Sequence, residues 1–174
     1  LVGFPNVGKS TLISVVSAAK PEIANYPFTT LTPVLGVVRV DEGSSFVMAD
    51  IPGLIEGAAE GVGLGHDFLR HVERCRLILH VIDIAALEDR DPIEDYKKIN
   101  AELEKFSPEL RARPQIVALN KADAAIEEMI DEFNDFAKEQ GFETYLISAA
   151  TGEGVQELMH AVERELAKLP PVLR

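Results

Sequence analysis

Eight residues near the start of the chain, Gly3-Phe4-Pro5-Asn6-Val7-Gly8-Lys9-Ser10, have the G-x-x-x-x-G-K-S spacing of a loop that holds phosphate. The chemistry needs glycine because backbone N–H groups must turn inward and approach phosphate oxygens with no Cβ in the way. Lys9 supplies a point charge to the outer phosphates, and the Ser10 hydroxyl is a hard oxygen ligand suited to Mg²⁺. A helix starting at Lys9 aims its N-terminus at the same anion, with Thr11 in its first turn.

A phosphate cradle does not name a base, but Asn120-Lys121-Ala122-Asp123 does. A carboxylate at Asp123 accepts two hydrogen bonds from guanine, at N1–H and the 2-amino group. Adenine offers an acceptor at N1 and no 2-amino group, so the carboxylate would be left unpaired and desolvated. Sites built on such bonds can reject the wrong partner by roughly 10⁴–10⁵. Asn120 is expected to tie this loop to the phosphate loop, with the Lys121 stem covering the base plane. Alone, the four residues could form an ordinary Asx turn at a strand end; their order after the phosphate motif favours base reading. Ser148-Ala149-Ala150 forms a small-residue turn from which a backbone N–H can reach guanine O6. Asp50-Ile51-Pro52-Gly53 places Asp50 to hold Mg²⁺ through a water and the Gly53 N–H to sense a γ-phosphate.

These groups need elements to carry them, and the chain reads as alternating strands and helices. Leu1-Val2 is a strand stub before the first motif, and Lys9 to Val16 is a helix. Residues 18–33 hold three Pro and no clear period, so they read as one long loop of the kind that usually carries function. Leu35–Val40 and Ser45–Ala49 flank Asp41-Glu42-Gly43-Ser44 as a hairpin, which supplies one antiparallel strand. A second long loop runs from Ile51 to Gly65, with Gly at 53, 57, 61, 63 and 65, and a helix follows to about Arg74. Strands are predicted at Leu77–Ile82, Gln115–Leu119 and Glu143–Ile147. Helices are predicted from Pro92 to Phe106, Ile126 to Gln140 and Val155 to Lys168. The expected architecture is an α/β sheet of about six strands, mostly parallel, with helices on both faces. His80, inside an apolar strand, reads as a satisfied core histidine. His66 and His71 lack Cys or acidic partners at metal spacing.

Bulk composition sets outer bounds. The 174 residues suit one domain, assigned to 1–169 with a Pro-containing linker at 170–174. Hydrophobic residues make up 47% and aromatics only 6%, so the core is aliphatic and suits strands buried on both faces. A net charge of −12 repels a phosphate backbone, so direct nucleic-acid binding is not expected. A local nest of N–H groups still attracts one phosphate-rich small molecule at short range. The single cysteine, Cys75, excludes a disulfide framework. No run reaches 18 apolar residues, and the chain reads as cytoplasmic with no membrane attachment. Opening on Leu1, two residues before the phosphate motif, it reads as a domain excised from a longer protein.

The order of phosphate loop, Thr-rich loop, DxxG, NKxD and Ser-Ala resembles the translation-factor-related P-loop GTPases. Finer strings resemble the Obg family. These are Asn25-Tyr26-Pro27-Phe28-Thr29-Thr30-Leu31 in the first switch, and Gly53-Leu54-Ile55-Glu56-Gly57-Ala58, Gly61-Val62-Gly63-Leu64-Gly65-His66 and Phe68-Leu69-Arg70-His71 in the second. The resemblance covers essentially the whole chain. It implies a P-loop G domain that binds GTP and GDP with Mg²⁺. It makes Phe28, Thr29, Thr30, Leu31 and Thr32 nucleotide-contacting, with Thr30 closing on Mg²⁺ and the γ-phosphate; by spacing, Thr29 and Thr32 are rivals for that role. Catalytic roles fall to Lys9, Thr30 and Gly53, and metal contacts to Ser10, Thr30 and Asp50. The resemblance also implies work on large-ribosomal-subunit assembly, although the family's glycine-rich N-terminal domain is not in this sequence. A guanine tetraphosphate is left open as a further ligand.

Many GTPases place Gln after DxxG to orient the attacking water; here Leu54 stands there and cannot. Slow intrinsic hydrolysis is therefore expected, with Mg²⁺, Lys9 and backbone donors stabilising charge. Asn6 matches related GTPases in which this residue helps bind K⁺; its alternative role is to shape the turn. Both loops, 18–33 and 51–65, are expected to act as switches, with one or both poorly ordered without nucleotide. Two other readings compete: a nucleotide-state sensor with negligible turnover, which Leu54 favours, and a P-loop kinase or ATPase, which Asp123 opposes.

Overall fold

A computed structural model of the chain describes residues 1–3, 7–23, 33–41, 44–50, 75–85 and 91–169. The expected helix ending near Arg74, the loop from Ile51 to Gly65 and the 170–174 linker lie outside the described residues, as does most of the first-switch loop.

The first helix, α1 (Lys9–Val16), begins where the phosphate motif ends. Leu12 and Ile13 are buried on its inner face, and Ser17 stops it, the Ser17 N–H still reaching the Ile13 carbonyl at 3.1 Å. The stretch expected as one loop then contains a two-residue strand, β1 (Glu22–Ile23), paired antiparallel with β2 (Val34–Asp41). Strand β2 pairs antiparallel with β3 (Ser44–Asp50), with a register shift between Arg39 and Asp41. Alternation sorts this ladder by face: Val38, Met48 and Asp50 are buried, whereas the cross-strand pair Val37 and Val47 is exposed.

A second ladder is parallel, formed by β4 (Ile78–Asp83), β5 (Gln115–Asn120) and β6 (Thr144–Leu146) in that order. All six residues of β4 are buried, as expected of a parallel strand covered on both faces. The Leu1-Val2 stub joins the ladders. The Leu1 nitrogen donates to the Ala49 carbonyl at 2.8 Å, while Val2 N–H donates to Leu79 and Val2 O accepts from Val81, each at 2.9 Å. The expected number of strands, about six, is met among the described residues, and only the balance of parallel and antiparallel pairing differs from expectation. The described residues give two three-stranded ladders, only one of them parallel, and β2 is antiparallel to both its neighbours.

Helices cover both faces. On one, α1 and α5 (Val155–Lys168) pack Leu12, Leu158 and Val162 against Leu79, Val81 and Ala118. On the other, α2 (Pro92–Phe106) and α4 (Glu127–Gln140) bring Ile93, Tyr96 and Phe133 against Ile82, Val117 and Leu119. Asp91 caps α2 by accepting from the Ile93 N–H at 3.0 Å, and Pro92 occupies the first turn, where its missing N–H costs nothing. A short helix, α3 (Pro108–Arg111), follows directly, capped by Ser107. Because residues of β4 and β5 alternate between these two cores, the strand ends at Asp83 and Asn120 are held from both faces, whereas Asp50 closes β3 on its single buried face.

His80 departs from its expected role. It is fully buried and stacks on Tyr96 with ring centroids 5.4 Å apart, but neither ring nitrogen has a hydrogen-bond partner among the described residues. Burial pushes its pKa down to about 3, and the neighbouring Gln115 amide, outside hydrogen-bond geometry, opposes this only in part.

Candidate functional site

Gly3 and Gly8 bracket the phosphate motif. Gly8 precedes α1 at φ 104, in the left-handed region, and its carbonyl accepts the Leu12 N–H at 2.9 Å. A Cβ on Gly8 would stand 2.1 Å from Asn120 Nδ2, and one on Gly3 would stand 2.5 Å from the Val81 carbonyl oxygen. Both positions therefore exclude a side chain on steric grounds. Lys9 is buried; its Nζ donates to the Gly3 carbonyl at 2.9 Å and lies 3.8 Å from Asp50 Oδ1. The loop's cation is thus enclosed between its own first residue and the end of β3. Ser10 and Thr11 are exposed on the first turn of α1.

Asn120 does what its place in the motif suggested. Its Nδ2 donates to the Val7 carbonyl at 2.8 Å, and its Oδ1 accepts the Ala149 N–H at 2.9 Å. One buried carboxamide therefore joins three segments distant in sequence. Lys121 follows at φ 67, and a 3₁₀ turn over Ala122–Ala124 presents Asp123 exposed. Ser148, fully buried, donates its hydroxyl to Asp123 Oδ1 at 2.9 Å and accepts the Thr151 N–H at 3.2 Å. The Ser148-Ala149-Ala150 turn is closed by Ser148 N–H to Glu153 O and Gly152 N–H to Ser148 O. Hence the carboxylate that would read a base is aimed by a buried hydroxyl instead of moving freely.

Gly3, Val7, Gly8, Lys9, Ser10, Thr11, Asp50, Asn120, Lys121, Asp123, Ser148, Ala149 and Ala150 are described, as is the Ala122 backbone. Among them, direct contacts join the phosphate motif, Asp50, the 120–123 segment and the 148–150 turn. Phe4, Pro5, Asn6, Phe28, Thr29, Thr30, Leu31, Thr32, Ile51, Pro52, Gly53 and Leu54 lie outside the described residues. One residue was missed: Asp83, at the end of β4, accepts from Lys121 Nζ at 3.2 Å. Its signal was an acid closing an apolar strand next to the one that ends at Asn120.

For a metal, the donors are hard oxygens: the Ser10 hydroxyl and the buried Asp50 carboxylate, which suit Mg²⁺ shared with phosphate oxygens. No cluster of three or more His, Cys, Asp or Glu able to hold a metal occurs among the described residues. A site built from protein ligands alone is thus not found there. No helix among them is long and apolar enough to cross a membrane.

A family model described as 50S ribosome-binding GTPase matches residues 1–121. The GTPase Obg of Alkaliphilus oremlandii is 58% identical over 173 residues, covering 99% of this chain and 40% of that protein. The GTPase Obg of Desulforamulus reducens is 59% identical over 174 residues, covering 99% and 41%. The chain therefore spans about two fifths of the length of these curated relatives. Among solved structures, the G domain of the T. maritima FeoB iron transporter aligns at TM-score 0.66 and 24% identity over 95% of both chains. The cytosolic domain of that transporter in its GMPPNP form aligns at 0.67 and 22%, covering 99% of this chain and 64% of that one. At these identities the structural likeness speaks for the P-loop G-domain fold alone.

Proposed function

We infer function from the premise that the chain belongs to the 50S ribosome-binding GTPase family and, within it, to the Obg-type G domains. We propose that it binds GTP and GDP with Mg²⁺ and hydrolyses GTP slowly, as a nucleotide-dependent switch. The carrying observation is the Asn120 carboxamide, which makes the phosphate loop and the base-reading turns one hydrogen-bonded unit.

In this reading the backbone N–H groups of the 3–8 loop, Pro5 excepted because it has none, surround the phosphates, and Lys9 neutralises the outer ones. Asp123, aimed by Ser148, accepts the guanine N1–H and 2-amino hydrogens, and a backbone N–H of the 149–150 turn donates to O6. Ser10 and Asp50, with Thr30, would hold Mg²⁺, which supplies charge neutralisation for the phosphates when bound. Thr30 and the Gly53 N–H are assigned the γ-phosphate contacts, with Thr29, Thr32, Phe28, Leu31, Ile51 and Pro52 lining the nucleotide. Leu54 leaves no side chain there to orient water, so turnover is slow. For Asn6 we propose a share in a K⁺ site; equal hydrolysis rates in KCl and NaCl at matched ionic strength would remove that assignment.

Multiple-turnover phosphate release, with Lys9→Ala as control, tests the enzyme reading. Release above the control supports a GTPase. Release equal to the control would leave a nucleotide sensor, the reading that Leu54 favours. For the whole protein we propose a cytoplasmic role with the large ribosomal subunit, as the family's description suggests.

A further inference from the structure

Lys121 is the only non-glycine residue with positive φ among the described residues, and its side chain leaves the end of β5 for a defined destination. Its Nζ lies 3.2 Å from Asp83 Oδ2, with side-chain exposures of 26% and 6%. Asp83 ends β4 directly beside Asn120 in the parallel register. Its other oxygen accepts the Ala85 N–H at 3.0 Å, and the Ile84 N–H donates to the Asn120 carbonyl at 3.1 Å. The carboxylate is thus fixed at both oxygens, one by backbone and one by the ammonium. Solvent screens such a pair much less than one like Lys97–Glu94, where both side chains are more than half exposed.

Resting on the guanine-binding reading above, we propose that Asp83 is a positioning residue of the base site. By anchoring the Lys121 ammonium, it lays the aliphatic stem of Lys121 in place before a guanine base arrives. A lysine stem has many rotamers, and fixing it in advance removes an ordering cost from binding. Asp83 touches no nucleotide in this scheme; it acts through Lys121. The competing role is purely local, the turn that Asp83 Oδ1 closes with Ala85.

The test is release of a fluorescent GDP analogue from the 174-residue chain, comparing Asp83→Asn, Lys121→Met, the double variant and Lys121→Arg. Asparagine keeps an acceptor for Ala85 while removing the charge. Asp83→Asn and Lys121→Met should each speed release by roughly two- to tenfold, the double variant no more than the faster single one. Lys121→Arg keeps a cation opposite Asp83, so its release should be slower than that of Lys121→Met; release as fast as Lys121→Met would count against the pair. Unchanged release in Asp83→Asn, or an effect that persists undiminished when Lys121 is Met, would overturn the proposal in favour of the local turn. Should Asp83→Asn fold poorly, Asp83→Ser, which also keeps an acceptor, replaces it under the same criteria. A folded parent chain that fails to bind the GDP analogue would overturn the guanine reading, and this proposal with it.

Discussion

The Asn120 carboxamide donates to the Val7 carbonyl at 2.8 Å, joining residues 113 positions apart in a buried contact. Its oxygen simultaneously accepts from Ala149. This side chain is therefore both a structural fastener and a part of the site, and the two roles can be separated by measurement.

Replacing Asn120 by Ala strands the Val7 carbonyl and the Ala149 N–H. Each buried group left unsatisfied costs about 1–3 kcal/mol, so with two of them Asn120→Ala should lower nucleotide-free stability by about 2–6 kcal/mol. Urea unfolding of the chain without nucleotide checks this. A loss close to zero would mean that the contact is incidental to the fold.

Gly8→Ala attacks the same contact from the other side. The new Cβ would meet Asn120 Nδ2 at 2.1 Å and force a side chain into φ 104, so both the loop and the carboxamide must shift. GDP affinity should fall on the order of a hundredfold, equivalent to about 2.7 kcal/mol. In Asn120→Ala the obstruction is absent, so the further loss from adding Gly8→Ala should be smaller there. Titrating GDP into the four chains measures that coupling; full additivity would contradict it.

His80 predicts acid sensitivity. Its folded pKa, about 3, lies below the ordinary value of 6.5, because burial disfavours the charged ring. Between those values the unfolded chain binds more protons than the folded one, so stability is lost as pH falls from about 6.5 towards 3. One such group contributes a slope of at most about 1.4 kcal/mol per pH unit. Substituting His80→Leu should flatten the stability profile relative to the parent over that window. Parallel profiles, measured by urea unfolding from pH 7 to 4, would contradict the assignment.

Legibility in the sequence followed the length and regularity of each element. The helices Lys9–Val16, Pro92–Phe106 and Val155–Lys168 have the predicted ends, because apolar spacing, Pro92 and the glycine before Lys9 all marked them. The core strands lie within one or two residues of expectation. Glu22–Ile23 was not visible, since two residues carry no period and the pairing that makes them a strand is with Leu35 and Val34. The Pro108–Arg111 helix was too short to show a face. In the site, Asn120 was readable from its motif, whereas Asp83 became meaningful only when β4 stood beside β5. A histidine such as His80 shows its burial in the sequence but not the geometry of its partners, which only the structure supplies.

In the proposed site Asp123, steadied by Ser148, selects guanine next to the phosphate loop. Calorimetric titration of the 174-residue chain with GTP and ATP in Mg²⁺ buffer tests it most directly, with Asp123→Asn run alongside. GTP should bind roughly 10⁴-fold tighter than ATP, and Asp123→Asn should shift preference towards xanthine nucleotides. ATP binding as tightly as GTP, or an Asp123→Asn chain that keeps the parent's preference, would contradict it.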